Sequence, residues 1–107
     1  MAKEIFTGTL RGTVTSKTIN FDISHHEGYV SFFIKLDEAI ENVPFELPVF
    51  GFAEGSSAKD LMCMHVVEGD KVLVNGKIIS YRLKYWQTEV IRIEADHIYN
   101  ETREHGF

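Results

Sequence analysis

The stretch ELPVFGFAE, Glu46 to Glu54, contains an apolar run with two different faces. Successive side chains of a β-strand point to opposite sides, so Leu47 and Val49 share one side while Phe50 and Phe52 share the other. The first side is a core face. The second side combines a charge and a proline with the two phenylalanines, an unusual surface to expose to water. The stretch therefore predicts a strand with a buried face and an aromatic outer face.

Alternation elsewhere predicts four further strands. The first is long, and its interior glycines indicate sharp bends of the kind that a strand shared by both sides of a small barrel requires. In the second strand, Phe32 and Ile34 face the core, and Ser31, Phe33 and Lys35 face outward. Residues 21–28 are expected to be a polar connection. The predicted strands are residues 4–19, 29–36, 44–52, 71–83 and 87–100.

Between the third and fourth strands the apolar period changes. Ser56 or Ser57 can cap a short helix whose apolar stripe is Leu61, Met62 and Met64. Three strands, a helix and two more strands are the order of a five-stranded Greek-key barrel with its helix between strands 3 and 4, the OB-fold. The fold class is therefore predicted to be all-β. Small sandwiches and other barrels present similar orders and stay as alternatives.

Composition indicates one domain covering residues 1–107, because 44% hydrophobic residues suffice for one core and no linker is visible. No apolar run approaches the roughly 18 residues needed to cross a bilayer, and the start, MAKEIF, lacks a signal-peptide apolar region. We therefore expect a cytoplasmic protein without a membrane partner. The lone Cys63 is interpreted as a small core residue.

Charge is unevenly distributed along the chain. The net charge of -5 argues against a nucleic-acid partner, but residues 71–92 hold five basic residues and one acid, a local charge of +4. Tyr81, Tyr85 and Trp86 are interleaved with these basic residues. A basic ribbon carrying aromatic rings is typical of surfaces that stack bases and follow phosphates, and the alternative is a solvated hairpin with ordinary amphipathic side chains.

Three motifs in order carry a family resemblance. LPVFGFAE (47–54) is followed by the predicted helix, then by VVEGDKVLVNGKI (66–78) and, past a hairpin, by TEVIRIEADHI (88–98). This arrangement, over residues 43–98, resembles the bacterial-type single-stranded DNA-binding protein family. The resemblance implies an OB-fold and largely sequence-independent binding and protection of single-stranded DNA, with RNA as the alternative ligand, in DNA replication, recombination and repair.

The resemblance assigns roles residue by residue. Phe50, before Gly51, matches the family position whose ring stacks on a base, and Lys71, Lys77 and Arg82 lie on a strand that supplies phosphate contacts in the family. The candidate nucleic-acid-binding residues are Phe33, Lys35, Phe50, Phe52, Lys71, Lys77, Tyr81, Arg82, Lys84, Tyr85 and Trp86.

Each outward phenylalanine has an alternative interpretation. Phe50 can be covered by a loop or a neighbouring subunit, Phe52 can lie past the strand end under the helix, and Phe33 depends on a register that could shift by one residue.

The chain also departs from the family pattern. The family's tryptophan near the start of strand three falls at about Pro44, and Trp86 is the candidate to compensate for it from the hairpin. The sequence stops at ETREHGF, where the family carries a long tail with an acidic tip that recruits other proteins. We therefore expect no tail-mediated recruitment by this short form.

Catalysis finds little support in the sequence. GTLRGT (8–13) lacks the lysine and the following helix of a phosphate-binding loop, and no nucleophile stands in a recognisable motif with a histidine and an acid. His25 and His26 lie in a predicted loop without regular ligand spacing, so a solvated pair is the simpler interpretation. We expect a protein that is not an enzyme and that needs no cofactor and no metal.

Two function classes remain. The first is single-stranded DNA binding, and the second is an OB-fold protein-interaction module, of the primosome or assembly type, with little DNA affinity. The threonine-rich edge of the first strand is either protected or used for pairing with another chain. The family resemblance implies pairing, as a homodimer or homotetramer with Thr7, Thr9 and Arg11 near the interface. The alternative is a monomer whose edge is blunted by Arg11 and Lys17.

Overall fold

The computed structural model describes residues 2–15, 20–23, 27–54, 66–82 and 89–106. Over these residues the regular elements are strands and none is a helix, so the predicted all-β class is confirmed. The predicted helix, with Cys63, lies outside them. The strands are β1 (Ala2–Val14), β2 (Asn20–Ile23), β3 (Glu27–Leu36), β4 (Glu46–Glu54), β5 (Lys71–Arg82), β6 (Glu89–Asn100) and β7 (His105–Gly106).

Five of the strands close into a ring. The order is β1, β5, β6, β4, β3, and β3 pairs again with β1, where Gly12 lies opposite Leu36 and Val14 lies opposite Ile34. The pairs around the ring are antiparallel except that between β4 and β6, which is parallel. The result is a barrel-like sheet whose inner face forms one core.

Two short strands were not expected from the sequence, and one was expected to be longer. The prediction that residues 21–28 form only a polar connection is wrong, because β2 pairs with β3 from Asn20 opposite Ser31 to Ile23 opposite Gly28. Likewise β1 ends at Val14 instead of running to residue 19, and β7 pairs with the end of β6. Each of these short strands pairs with its neighbour along the chain, and runs of four and two residues are too short for alternation to identify a strand.

The core follows the predicted alternation. Leu47 and Val49 are buried on β4, and Phe32 and Ile34 are buried on β3. Ser31 lies on the predicted outer side, opposite Phe50, but only 8% of the residue is accessible between β2 and β4. The largest fully buried side chains are Phe32, Ile34, Leu47, Ile78, Ile93, Ile98, Val14, Val30, Val49, Val72 and Val74.

Two glycines mark places where strands approach closely. At Gly12, where β1 begins to pair with β3 as well as β5, an added Cβ would lie 2.8 Å from the carbonyl oxygen of Lys35. At Gly76, an added Cβ would overlap the backbone carbonyl of Glu94 on β6. A side chain at either position would force the two strands apart, so the interior glycines permit the ring to close.

A buried carboxylate ties one end of the barrel together. Oδ2 of Asp70 accepts hydrogen bonds from Nδ2 of Asn100 (2.9 Å), Nε of Arg103 (2.8 Å) and the backbone N–H of Val67 (3.1 Å). Burial alone would raise the pKa of Asp70, but these hydrogen bonds and the charge of Arg103 outweigh it and hold the pKa below its ordinary value. The backbone N–H of Val14 donates to the carbonyl of Asp70, which attaches the end of β1 to the same cluster.

Candidate functional site

The outer side of β3 and β4 carries two exposed phenylalanines. Phe33 is 43% accessible and Phe50 is 38% accessible, whereas their strand neighbours Phe32 and Val49 are buried. Phe33 lies opposite Pro48 and Phe50 lies opposite Ser31, so the two rings are diagonal neighbours on one face. The predicted outward orientation of both residues is confirmed, and the one-residue shift of register in β3 is excluded.

Arg92 of β6 stands between two of the predicted aromatic residues. Its guanidinium carbon lies 5.0 Å from the centre of the Phe50 ring and 5.2 Å from the centre of the Tyr81 ring. Both distances are within the range in which an aromatic face attracts a cation. We refer to Phe33, Phe50, Tyr81 and Arg92 as the aromatic face.

The strand pairing positions this arginine. Phe50 lies opposite Glu94 in the parallel pair of β4 and β6, and Ile79 lies opposite Arg92 in the antiparallel pair of β5 and β6. Since Ile93 faces the core, Arg92 and Glu94 on either side of it face outward. Nε of Arg92 has no hydrogen-bond partner among the described residues, and its Nη2 donates to Oε1 of Glu94 at 3.2 Å.

A pocket opens beside the aromatic face. Its volume is about 370 Å³, and the lining combines an aromatic ring with charges of both signs. We refer to it as the mixed-charge pocket, which is lined by Phe50, Lys77, Arg92, Glu94, Ala95 and Asp96. Lys77 lies directly opposite Glu94 across β5 and β6. The outer surface is therefore less positive than the charge of residues 71–92 indicates, because strand pairing places carboxylates beside the basic side chains.

Other predicted residues are arranged differently. Lys35 is exposed and lies opposite Glu46, close to the aromatic face in the sheet. Arg82 is exposed at the end of β5, opposite Glu89.

Lys71 lies six residues before Lys77, about 20 Å away along β5, and its Nζ binds Oδ1 of Asp37 at 2.8 Å. The structure thus groups Phe33, Phe50, Lys77 and Tyr81 and places Lys71 at the far end of β5.

Several predicted residues lie outside the described part. These are Lys84, Tyr85 and Trp86, together with His25, His26 and the side chain of Phe52. The backbone of Phe52 is described, and it lies within β4 opposite Tyr29. The alternative that Phe52 lies past the strand end is therefore wrong, because β4 continues to Glu54.

Sequence reasoning missed Arg92, Glu94 and Asp96 as site residues. The signal was present for the first two, since EVIRIEAD alternates and puts Arg92 and Glu94 on the side away from Ile91 and Ile93. Asp96 could not be oriented in this way. The register of β5 and β6 shifts between Asn75 and Gly76, which leaves Asp96 as the extra residue of a β-bulge.

The arrangement suits contact with flat, polar and anionic groups. Exposed rings can stack on planar ligands, and Lys35, Lys77 and Arg92 can donate hydrogen bonds to acceptor oxygens. Among the described residues, no group of three or more His, Cys, Asp or Glu side chains could hold a metal ion. No helix within the described ranges is both long and apolar enough to span a membrane.

Comparison with known proteins assigns the chain to no family. The sequence matches no protein-family model, and no curated protein matches it significantly. A function for this chain therefore has to follow from the geometry of the aromatic face and the mixed-charge pocket.

Proposed function

We propose that this chain is an OB-type barrel that binds single-stranded DNA without catalysis. The observation that carries the proposal is the position of Arg92 between Phe50 and Tyr81 on an outer face that also exposes Phe33. In an OB-fold, oligonucleotides bind on the face of the second and third barrel strands. In this chain β3 and β4 are the second and third strands of the ring. The short β2 lies outside the ring and pairs with the part of β3 that β1 does not reach.

The binding mechanism combines stacking with charge. Unpaired bases stack on exposed rings such as Phe50 and Phe33, with about 1 to 3 kcal/mol per stacked base. Lys35, Lys77 and Arg92 contact phosphates and release counterions, which makes the affinity dependent on salt. Duplex DNA keeps its bases stacked on one another, so no base face is available for stacking on the aromatic rings. The mechanism needs no cofactor and no metal.

The proposed role is to coat and protect single strands during DNA replication, recombination and repair in the cytoplasm, with little overall sequence preference. Single-stranded RNA is the alternative ligand of the same surface, since both nucleic acids present bases and phosphates. The role agrees with the order of motifs over residues 43–98, which resembles the bacterial-type single-stranded DNA-binding proteins.

We also propose that the protein acts as a homodimer or homotetramer. Within the described ranges, β1 pairs with β3 only over Gly12–Val14, while its pairing with β5 runs from Ala2 to Thr13. Thr7 and Thr9 therefore lie on a stretch of β1 whose second edge has no strand partner in those ranges. An edge of this kind can pair with another chain. The side chain of Arg11 is bound to Glu101 of the same chain at 2.9 Å.

The test is a titration with single-stranded and duplex oligonucleotides. Oligo-dT should quench the fluorescence of Trp86 and the tyrosines and should bind much more tightly than a duplex of the same length. The affinity should fall as salt increases. Equal affinity for the duplex, or an affinity independent of salt, would contradict the proposal.

The second candidate is an OB-fold protein-interaction module with little DNA affinity. The net charge of -5 and the carboxylates of Glu46, Glu94 and Asp96 on the outer surface favour it. Aromatic rings among mixed charges also occur in protein interfaces. The same titration separates the two candidates, because this module would show no quenching and no salt-dependent binding with oligo-dT.

A further inference from the structure

The mixed-charge pocket contains carboxylates as well as basic groups, and binding of phosphates requires only the basic groups. A row runs across three strands from Lys77 on β5 through Glu94 on β6 to Phe50 on β4. Carboxylates beside a phosphate-binding surface weaken phosphate binding by repulsion. Glu94 and Asp96 are therefore better suited to bind a ligand group that donates hydrogen bonds. Oxygen atoms of carboxylates accept hydrogen bonds, and the edges of bases supply the donors.

The pocket also has the size for a planar group and an aromatic ring to support one. Its volume of about 370 Å³ is bounded on one side by Phe50, whose ring is held against Arg92. Gly76 lets the backbones of β5 and β6 come close beneath it, and the bulge at Asp96 turns that residue out of the regular alternation. Bulges that redirect a side chain are frequent beside functional sites.

From these contacts we propose that the mixed-charge pocket is a subsite that reads one base of the bound strand and prefers guanine. Guanine carries two neighbouring donors, N1–H and the N2 amino group, beside the acceptor O6. Glu94 accepts from the two donors, and the ammonium of Lys77, opposite Glu94, donates to O6. Phe50 stacks on the ring. This inference rests on the proposed function and adds a base preference at one position of an otherwise tolerant surface.

The other bases fit the pocket less well. Thymine has a single N–H donor between two carbonyl oxygens, so Glu94 would gain one hydrogen bond instead of two, and the carbonyl oxygen that is not bound by Lys77 would lie against its carboxylate. Adenine and cytosine each offer one amino group and no second adjacent donor. The contact between Glu94 and Arg92 uses Oε1 with Nη2, and a carboxylate has room for about four hydrogen bonds in total. Glu94 can therefore hold Arg92 and a base together.

The experiment compares labelled oligo-dT strands of about fifteen nucleotides, a length within the site size of one OB-fold. The central residue is thymine, guanine or hypoxanthine, which lacks the N2 amino group. Fluorescence anisotropy at constant salt measures the affinities. A good bidentate contact should make the guanine strand bind about fivefold more tightly than the all-thymine strand, or better. The hypoxanthine strand should lose part of this gain.

Two matched variants locate the preference. Glu94→Gln should bring the ratio of guanine to thymine affinity close to one, because the amide replaces an acceptor by a donor. Glu46→Gln removes the same charge from the outer side of β4, outside the pocket, and should keep the ratio. A wild-type ratio near one with tight binding of both strands would overturn the guanine subsite and leave single-stranded DNA binding standing. A ratio unchanged in Glu94→Gln would also overturn it, and no binding of any strand would overturn both proposals.

Discussion

The guanidinium carbon of Arg92 lies 5.0 Å from the centre of the Phe50 ring. The contact joins β6 to β4, which form the parallel pair of the ring. A cation above an aromatic ring contributes about 0.5 to 1 kcal/mol when exposed and about 2 kcal/mol when desolvated. The arginine therefore supports the ring of Phe50 within the aromatic face.

The first prediction concerns this arginine. Arg92→Ala should weaken oligo-dT binding by about 1 to 2 kcal/mol, because the Phe50 ring loses its support and the aromatic face loses a cation. Arg92→Lys should recover part of the loss, since it keeps the charge without the planar group that stacks between Phe50 and Tyr81. Anisotropy titrations of the three proteins measure the differences. Wild-type affinity in Arg92→Ala would contradict a role for Arg92 in binding.

The second prediction separates stacking from charge. Phe50→Ala should weaken oligo-dT binding by about 1 to 3 kcal/mol with an almost unchanged salt dependence. Lys77→Ala should lower the slope of log affinity against log salt by up to about one unit. Titrations at several salt concentrations measure both quantities. Lys71→Ala is the control, because Lys71 is bound to Asp37 far from Phe50 and should change neither quantity.

The third prediction concerns the buried carboxylate at the end of the barrel. Asp70→Asn should lower the free energy of unfolding by about 1 to 3 kcal/mol at neutral pH, because hydrogen bonds to a charged acceptor are lost. Since the pKa of Asp70 in the folded state is lowered, its stabilisation is present above the pKa of the unfolded chain. The stabilisation disappears as the pH falls through the lower folded-state pKa.

Urea unfolding at several pH values tests this expectation. The difference between wild type and Asp70→Asn should shrink at acidic pH, below about 4. Asp37→Asn is the matched control at the same end of the barrel, where an exposed ion pair is worth about 0 to 1 kcal/mol. A difference between wild type and Asp70→Asn that stays constant down to the lowest pH would show that the charge of Asp70 does not stabilise the fold.

The fourth prediction concerns assembly through β1. Sedimentation equilibrium at micromolar concentration should give at least twice the chain mass of 12.3 kDa. Thr9→Lys should weaken the association, because a lysine on an edge strand opposes pairing with another chain. Asn75→Lys places the same charge opposite Thr9 on β5, one strand away from that edge, and should leave association intact. A single species with the mass of one chain would contradict assembly and would leave the binding proposal unaffected.

The amino-acid sequence by itself determined the strand class, the two faces of the long strands and the outward position of Phe33 and Phe50. Each of these follows from a period of two residues, which is a local property of the chain. The order of the five long strands could be predicted for the same reason. The interior glycines of the first strand were interpreted as bends, whereas the close approach of Gly12 to Lys35 and of Gly76 to Glu94 came only from the structure.

Only the tertiary structure decided which side chains meet. Arg92 reaches Phe50 because β4 and β6 pair in parallel, and Lys77 meets Glu94 because β5 and β6 pair in one register. The local charge of +4 was counted along the chain, whereas the electrostatics of the outer face depend on neighbours across strands. Lys71 shows the same effect, since pairing of distant segments places it beside Asp37. The period of two residues determines which side a residue faces, whereas the residue that it meets on the next strand also depends on turn geometry and on the packing of the whole barrel.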